Sequence, residues 1–455
     1  MVDAMANEDS AAGLAGRWPQ VLATSLGFAV VQLDVSVVNV AIKPIGTALG
    51  GGTSALQWVV NAYTVVFAAL ILTAGALGDR IGARRVFVAG FGVFTAASAA
   101  CGLAPSLGVL VAARAVQGIG AAALVPCSLA LLNHSFPDAG DRAKAVGLWA
   151  AGASVALSGG PLVGGVLTQT LGWRAIFFIN LPIGLGAIWL TRARVTETPR
   201  DDDRGVDLAG QLAAMTTLAV LAGAMIEGGV RGFADPAVLA GFAVALIAGA
   251  AFVAVERARE RPMLPLGLFR SATFSAATAI GLVINIAFYG LIFVLSLWFQ
   301  DQRGFTALQT GLAFAPSTIA VMAANLLAGR LAARVGPAAV IAAGSLLVAA
   351  GLSALLIIGG DTPYPALVAQ LVVVGLGLGL VVPVMTSSLL GSVDPAYSGV
   401  ASGTLNTARQ TGSVIGVALF GALASSDLVG GLRTAIAISI GLALAAAALA
   451  RPIGA

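Results

Sequence analysis

Two charged side chains stand inside stretches of this sequence that are otherwise apolar enough to enter a lipid bilayer. Asp34 is the second residue of LDVSVVNVAIKPIG (33–46) and lies about midway through an apolar segment, and Arg114 lies well inside a later one. A charge left alone in hydrocarbon costs several kcal/mol, so both side chains should face the bundle interior or a water-filled cavity. Asp34 is the buried acid available to Arg114 in this half of the chain, and we predict that the two pair.

A carboxylate in such a place can carry protons. Desolvation favours its neutral form and a nearby cation favours its charged form, so a carboxylate that is alternately wetted and dried can bind and release a proton. Asp34 is therefore our candidate proton-coupling residue. The alternative is an aspartate that kinks its helix or only makes hydrogen bonds and never titrates.

The composition is that of a membrane protein. Of the 455 residues, 58% are hydrophobic and 10% are charged, whereas a soluble domain carries roughly 25% charged residues. Fourteen apolar segments are long enough to cross a bilayer as helices, which predicts an all-α membrane protein with 14 transmembrane helices. These segments cover approximately 19–42, 55–78, 86–103, 106–132, 143–169, 174–191, 206–227, 236–255, 272–299, 308–332, 338–358, 364–390, 397–423 and 433–450.

The basic residues are distributed unevenly between the two sides that these spans define. Of the 24 Lys and Arg residues, 17 fall on the side of the N-terminus and five on the other, while Arg114 and Arg409 lie in or beside spans. This asymmetry predicts a multi-pass protein of the inner (plasma) membrane with both termini cytoplasmic. The net charge of +4 comes mostly from short loops, so we expect a lipid bilayer and no nucleic acid as partner.

The chain contains an internal repeat. GALGDRIGARRVFVAG at 75–90 aligns with GRLAARVGPAAVIAAG at 329–344. Two further sets recur at nearly the same offset, namely Gly118, Gly120 and Pro126 with Gly375, Gly377 and Pro383, and Gly147 and Gly160 with Gly403 and Gly416. Such parallel repeats are the architecture of transporters that rock two halves around a midplane site.

The repeat divides the chain into two six-helix bundles with a two-helix hairpin between them. The predicted divisions are a cytoplasmic N-terminal tail at 1–18, an N-terminal bundle at 19–191, linkers with the extra hairpin at 192–271, and a C-terminal bundle at 272–455.

Several motifs resemble those of the major facilitator superfamily. GALGDRIGARR (75–85) resembles its loop between spans two and three, with Ala83 where the family usually has a basic residue; RAVQGIGAAALVP (114–126) resembles its fourth-span motif, and GGPLVGG (159–165) its fifth-span antiporter motif. LDVSVVNVAIKPIG, WVVNAY, RAIFFINLPIG and ASGTLNTARQTG resemble signatures of the fourteen-span drug:proton antiporter branch. The resemblance implies the major facilitator fold and a part for Arg114 in proton coupling; the alternative is a structural arginine that binds backbone carbonyls.

Two motifs are candidate gates. Asp79, Arg80 and Arg84 lie at the predicted cytoplasmic end of spans two and three, where Asp79 could accept hydrogen bonds from a helix N-terminus of the opposite half. The second copy has Ala333 in place of this aspartate. The alternative is that these charges only fix the topology.

The second candidate gate is the glycine and proline cluster of span five. Gly159, Gly160, Pro161, Gly164 and Gly165 would allow close helix approach and a pliable seam. The resemblance implies that this span faces span thirteen across the two halves. Ordinary glycine-mediated packing is the alternative.

Candidate substrate-binding residues are the polar and aromatic side chains of spans that should line the cavity, with simple core or interface packing as the alternative. They are Trp58, Asn61, Tyr63, Asn285, Phe288, Tyr289, Trp298 and Gln300. An apolar cavity with a single central acid suits lipophilic neutral or monocationic compounds. Arg409 in span thirteen has no acidic residue near it in the sequence, and its partner could be backbone carbonyls, Gln410 or a group across the cavity.

The features together predict a monomeric, proton-coupled antiporter that exports lipophilic neutral or cationic drugs by alternating access, driven by the proton gradient without a cofactor. A dedicated exporter of one compound, such as a self-made antibiotic or an amino acid, and a non-transporting membrane sensor or scaffold are the alternatives. No ATP-binding loop is present, and one histidine and two cysteines give little metal or nucleophile chemistry, so we do not expect an enzyme.

Overall fold

A computed structural model describes residues 16–136, 138–200, 207–259, 262, 264–394 and 398–453. Most of the predicted N-terminal tail lies outside the described residues. Every regular element in the described part is helical. The N-terminal half contains α1 (Trp18–Leu49), α2 (Thr53–Ile81), α3 (Ala83–Leu103), α4 (Leu107–Ser135), α5 (Ala139–Leu171), α6 (Ala175–Phe178) and α7 (Asn180–Arg194).

The remaining helices form the hairpin and the C-terminal half. The hairpin consists of α8 (Leu208–Arg231) and α9 (Pro236–Ala258). A 3-10 turn (Leu266–Arg270) then leads into α10 (Ala272–Asp301), α11 (Ala307–Val335), α12 (Pro337–Leu355), α13 (Pro365–Gly391), α14 (Ser398–Leu423) and α15 (Leu428–Leu449). Because α6 and α7 together make one span, these fifteen helices of the described part correspond to the fourteen predicted spans.

The described helices agree with the predicted membrane spans, with one distinction. Thirteen of them are long and apolar enough to cross a bilayer, counting α6 and α7 as one. The helix α14 is also long enough, but Asn406, Arg409 and Gln410 lie inside it. Span thirteen is therefore a polar helix that needs protein or water around part of its surface.

The backbone repeats where the sequence repeats. Gly82 joins α2 to α3 with φ of 103°, and Gly336 joins α11 to α12 with φ of 88°, a region that glycine adopts without strain. A Cβ at Gly90 of α3 would lie 3.2 Å from the carbonyl oxygen of Gly120. The equivalent Gly344 of α12 stands in the same relation to Gly377, at 2.8 Å, so these helix crossings are the same in both halves.

Each half packs in the same way, and two equivalent crossings join the halves. In the N-terminal half α1 packs on α5 and α2 on α4, while in the C-terminal half α10 packs on α14 and α11 on α13. Between the halves, α5 packs on α11, and α2 packs on α14. The predicted partner of span five, span thirteen, is therefore wrong. A two-fold relation between the bundles maps the α5–α11 crossing onto α14–α2, so span five meets span ten instead.

The extra hairpin lies beside the bundles. The helix α8 packs on both α2 and α14, whereas α9 packs mainly on α8. Leu218 and Ala222 of α8 join Ala68 and Val414 in a small separate apolar cluster. The hairpin thus covers one of the two crossings between the halves.

Candidate functional site

Asp34 and Arg114 meet in the interior of the N-terminal half, as the sequence predicts. Both are completely buried, and Nη1 of Arg114 donates to Oδ2 of Asp34. The other carboxylate oxygen, Oδ1, accepts from Nε2 of Gln117 at 2.8 Å and from Nδ2 of Asn180 at 3.1 Å. Helices α1, α4 and α7 therefore converge on one carboxylate.

Ser98 of α3 completes this group of polar residues. Its hydroxyl accepts from Nε2 of Gln117 at 2.9 Å and from Nδ2 of Asn180 at 3.3 Å, and it donates to the carbonyl oxygen of Phe94 at 2.7 Å. We call Asp34, Ser98, Arg114, Gln117 and Asn180 the Asp34 cluster. Sequence reasoning did not assign Ser98 or Asn180 to a site. The signal for Asn180 was present, because it is the amide of the RAIFFINLPIG motif.

Arg114 has acceptors besides Asp34. Its Nε donates to the carbonyl oxygen of Val59 at 3.0 Å, and its Nη1 also donates to Oε1 of Gln117 at 2.7 Å. The guanidinium carbon lies 4.3 Å from the ring centre of Tyr63 and 5.8 Å from that of Phe177, where an aromatic face attracts a cation. These contacts do not depend on the charge of Asp34, so the arginine remains held when the carboxylate is neutral.

The glycine cluster of α5 contacts both α1 and the opposite half. A Cβ at Gly164 would lie 2.7 Å from the carbonyl oxygen of Val37, three residues beyond Asp34 on α1. A Cβ at Gly160 would lie 2.7 Å from Cβ of Ser36 and closer still to its Oγ. On the other side, a Cβ at Gly165 would lie 2.7 Å from the carbonyl oxygen of Ala307 on α11. One helix therefore touches the backbone beside Asp34 and the seam between the halves.

The other two residues of this cluster differ from each other. Pro161 packs its backbone against Gly311 of α11, which makes it part of the seam. A Cβ at Gly159 would meet no atom within 4 Å. Gly159 therefore lies in open space, and the structure gives it no packing role.

The loop between α2 and α3 is held by a segment that sequence reasoning missed. The backbone N–H of Arg84 donates to Oε1 of Glu197 at 2.8 Å, and Nη1 of Arg84 donates to the carbonyl oxygen of Val195 at 3.1 Å. Arg80 is exposed, and Asp79 is engaged in interactions rather than free. A bond from Asp79 to the opposite half stays a prediction.

The two halves are joined at the helix ends that carry Lys43, which we call the Lys43 end. Lys43 pairs with Asp301 of α10 at 2.8 Å, and Nε2 of Gln300 donates to the carbonyl oxygen of Val40 at 3.1 Å. Nε2 of Gln57 donates to two carbonyl oxygens of α14, those of Val417 and Ala418, at 2.9 Å each. Gln300, a candidate substrate residue, thus acts here as a bridge between halves.

The other substrate candidates lie in different surroundings, and three of them are buried in the interior. Tyr63 lies beneath Arg114, and Tyr289 is buried beside the side chain of Gln32 on α1. Asn61 is completely buried, and neither of its amide atoms has a hydrogen-bond partner among the described residues.

The remaining four candidates include residues with packing roles. Trp58 faces Gly223 of α8, and Trp298 is buried with its ring 5.2 Å from that of Phe299. Both tryptophans make packing contacts, and their part in substrate binding stays a prediction. The amide of Asn285 donates to the carbonyl oxygen of Gly281 in its own helix at 2.7 Å.

Phe288, the last candidate, lines an apolar cavity where α5 meets the C-terminal half. The cavity has a volume of about 780 Å³, including the part open to the surroundings. Among the described residues that line it, the polar ones are Ser158, Ser317 and Thr318. The apolar lining residues are Leu157, Pro161, Ile284, Ala287, Phe288, Leu291, Ile292, Leu295, Phe314, Val321, Val348, Leu352, Leu355, Leu371, Val374 and Leu378.

Arg409 is the second arginine inside the spans, and it has no carboxylate beside it in the described structure. A Cβ at Gly281 of α10 would lie 3.4 Å from Cγ of Arg409. Tyr289 is the titratable group that interacts with Arg409. Its Nε is buried without a hydrogen-bond partner among the described residues, and so is Oε1 of Gln410. Within the described part of the chain, Oε1 of Gln410 therefore does not accept from Nε of Arg409, and the partner that the sequence left open stays a prediction.

Comparison with known proteins gives consistent family matches. A sequence profile described as Major Facilitator Superfamily matches residues 24–417. The chain is 38% identical to the methylenomycin A resistance protein of Streptomyces coelicolor, covering 90% of this chain and 86% of that one. It is 37% identical to the multidrug resistance protein Stp of Mycobacterium tuberculosis, covering 90% and 76% respectively.

A solved structure shares the fold. The crystal structure of the human organic anion transporter MFSD10 (TETRAN) superposes with a TM-score of 0.66, covering 95% of this chain and 99% of that one. The sequence identity is 18%. At this level the similarity shows the fold alone.

Proposed function

Because this chain belongs to the Major Facilitator Superfamily, whose model matches residues 24–417, we propose that it exports lipophilic small molecules in exchange for protons by alternating access. It is a multi-pass membrane transporter rather than an enzyme, and its relatives are drug or antibiotic resistance proteins. The observation that carries the proton coupling is the buried pair of Asp34 and Arg114.

The Asp34 cluster has the contacts that a proton carrier needs. In this conformation both carboxylate oxygens accept hydrogen bonds and the residue has no exposed surface, which supports a charged, occluded state. When water reaches Asp34 and protonates it, Arg114 keeps the carbonyl oxygen of Val59 and the ring of Tyr63 as partners. The cluster can therefore lose its central charge without leaving Arg114 without partners.

The contacts of α5 offer a route from the cluster to the seam. Gly164 touches the backbone of α1 next to Asp34, while Gly165 touches α11 of the opposite half. A change in the position of α1 on protonation would thus be transmitted to the crossing between halves. We take the Lys43 end to be the extracellular end of the protein. Because the two halves are in contact at this end, we infer a state that precedes opening to the outside. That orientation and the inner membrane as location belong to this proposal.

The proton gradient supplies the driving force. Each unit of positive charge that moves inward gains about 2.3 kcal/mol per 100 mV of membrane potential. No cofactor is needed for this exchange, and we propose that the functional unit is the monomer.

The charge of the substrate needs a different argument from the one based on sequence. The expectation of neutral or cationic drugs rested on Asp34 as an open acid in the cavity. In the structure three donors occupy its two oxygens, so a cationic substrate would have to displace Arg114 or an amide. We therefore retain lipophilic substrates and do not assign their charge to Asp34.

The test uses purified protein in proteoliposomes with a pH-sensitive dye inside. We expect wild type to move protons when a lipophilic substrate is added and Asp34→Asn to abolish this movement. Glu227→Gln is the matched control, because it removes an exposed acid that pairs with Arg231 of its own helix α8, and it should keep the coupling. Unchanged proton movement in Asp34→Asn would remove Asp34 from the mechanism.

The breadth of substrates separates this function from its alternatives. One relative is named for a single antibiotic and another for multidrug resistance, so a dedicated exporter remains the second candidate. A growth screen across dyes, biocides and antibiotics, with wild type and Asp34→Asn, distinguishes them. Broad Asp34-dependent resistance supports the multidrug exporter, resistance to one compound supports the dedicated exporter, and no transport supports a sensor or scaffold.

A further inference from the structure

Arg409 is a cation near the middle of a membrane-spanning helix. It stands eleven residues after the first residue of α14, Ser398, and fourteen before the last, Leu423, or about 16 Å and 21 Å from the two ends at 1.5 Å per residue. At this depth a charged side chain needs a counter-charge or water. The residue is partly exposed, and its Nε is buried without a hydrogen-bond partner among the described residues.

The neighbouring helices supply no counter-charge. All four acidic residues after position 272, which are Asp301, Asp361, Asp394 and Asp427, lie at helix ends or between helices. Asp34, in the other half, is already paired with Arg114. Within the described part of the chain, Tyr289 is the titratable group found to interact with Arg409, and it is no carboxylate. The C-terminal half therefore presents an uncompensated positive charge near the midplane.

The apolar cavity lies next to the segment of α10 that contacts the stem of Arg409. Ile284 and Phe288 of α10 and Leu378 of α13 line the cavity. One turn before Ile284, Gly281 faces Arg409 of α14 and Met385 of α13. Met385 in turn lies two turns beyond Leu378, on the same side of α13. The cavity lining thus leads along α10 and α13 to Gly281 and Met385, and Gly281 faces the stem of Arg409.

We propose that Arg409 binds the anionic group of the transported compound, whose apolar body occupies the adjoining cavity. The substrate class is then lipophilic monoanions of the carboxylate type. A planar guanidinium with several N–H donors matches a carboxylate in two parallel hydrogen bonds. This inference rests on the proposed export function and names the substrate class for the same site.

The assignment also agrees with the direction of transport. A monoanion that leaves a negative-inside cell moves in the direction that the membrane potential favours. Protons that enter at Asp34 in exchange are favoured by the same potential. Asp34 in the N-terminal half would then bind the proton, and Arg409 in the C-terminal half would bind the substrate. The two arginines differ in this respect, because Arg114 is paired with an acid and Arg409 has no acid beside it among the described residues.

The experiment compares three probes that share one apolar group. They are 1-pyrenebutyrate, its uncharged amide, and the corresponding pyrenebutyl trimethylammonium cation, and binding to purified protein in maltoside micelles at pH 7 is followed by energy transfer from tryptophan. We expect wild type to bind the carboxylate roughly tenfold or more tightly than the amide, as for a charge-assisted pair in a desolvated site. The cation should bind no better than the amide.

The variants test whether Arg409 causes this preference. Arg409→Gln should bring the carboxylate-to-amide ratio close to one and leave binding of the amide within about twofold. Arg409→Lys should retain part of the preference, because it keeps the charge without the planar fork. Arg433→Gln is the matched control, since it removes an arginine of the same half that binds the carbonyl oxygen of Ile358, and it should keep the full ratio.

Several outcomes would overturn the proposal. A wild-type ratio near one would do so by itself, even if no Arg409 variant gave a folded protein. An unchanged ratio in Arg409→Gln, with the amide still bound, would equally exclude Arg409 as the anion site. Displacement of the carboxylate by added phosphatidylglycerol at low mole fraction would assign the site to a lipid phosphate instead.

The same measurement separates this inference from the export mechanism. The ratio is a binding quantity of the wild-type protein and needs no proton gradient. If wild type moves no protons but keeps the ratio, the proton coupling fails and the anion site stands. If protons move and the ratio is absent, the anion site alone is refuted.

Discussion

Gly164 offers a direct test of how α5 acts on the Asp34 cluster. A Cβ at this position would lie 2.7 Å from both Cγ2 and the carbonyl oxygen of Val37. This separation is shorter than the van der Waals contact of a Cβ with either atom. The change Gly164→Ala must therefore push α1 and α5 apart by a fraction of an ångström. Overpacking of this kind costs about 1–3 kcal/mol, and it acts three residues from Asp34, the carboxylate that we propose binds the proton.

The same motif contains its own control. Gly159 is five residues earlier on the same helix, and a Cβ there would meet no atom within 4 Å. Gly159→Ala should be neutral or slightly stabilising, because alanine favours the helix by about 1 kcal/mol over glycine. The two variants thus add the same methyl group to the same helix in opposite packing environments.

The assay combines thermal unfolding in detergent with proton movement in proteoliposomes. We expect Gly164→Ala to lower the unfolding temperature and to reduce substrate-driven proton movement about tenfold or more, in line with 1.4 kcal/mol per factor of ten. Gly159→Ala should change neither quantity measurably. Equal behaviour of the two variants, in either direction, would refute the assignment of Gly164 as a close contact that positions α1.

Two further outcomes follow from the contacts between elements. Gln57→Leu removes two hydrogen bonds to carbonyl oxygens of α14, which contribute about 0.5–1.5 kcal/mol each. It should therefore raise the rate at which a reagent that enters from the Lys43 end labels a cysteine engineered into the cavity. An unaltered rate would count against closure at that end. Glu197→Ala removes the acceptor of the Arg84 N–H at the start of α3 and should cost about 1 kcal/mol in thermal unfolding. Glu227→Ala, which breaks an exposed pair on α8, should cost less than about 0.5 kcal/mol; equal losses would remove the structural role of Glu197.

Much of the site could be read from the chain because its signals are local or chemical. An acid and an arginine inside apolar segments have to find each other or water, so Asp34 and Arg114 could be paired without coordinates. The repeat of glycines around Gly82 and Gly336 likewise fixed two equal bundles. The pairing of the two charges and the division into two bundles could both be inferred without the three-dimensional arrangement of the helices.

The sequence by itself determined the membrane class, the helices, the repeat and the charged residues that need partners, because these depend on hydropathy and spacing. The tertiary structure decided which faces meet: that span five crosses span ten, that Ser98 and Asn180 complete the Asp34 cluster, and that Gln300 bridges the halves. Those contacts join residues far apart in the chain, and a helical face can serve several neighbours equally well until packing selects one. Packing also left Arg409 with no acid beside it among the described residues.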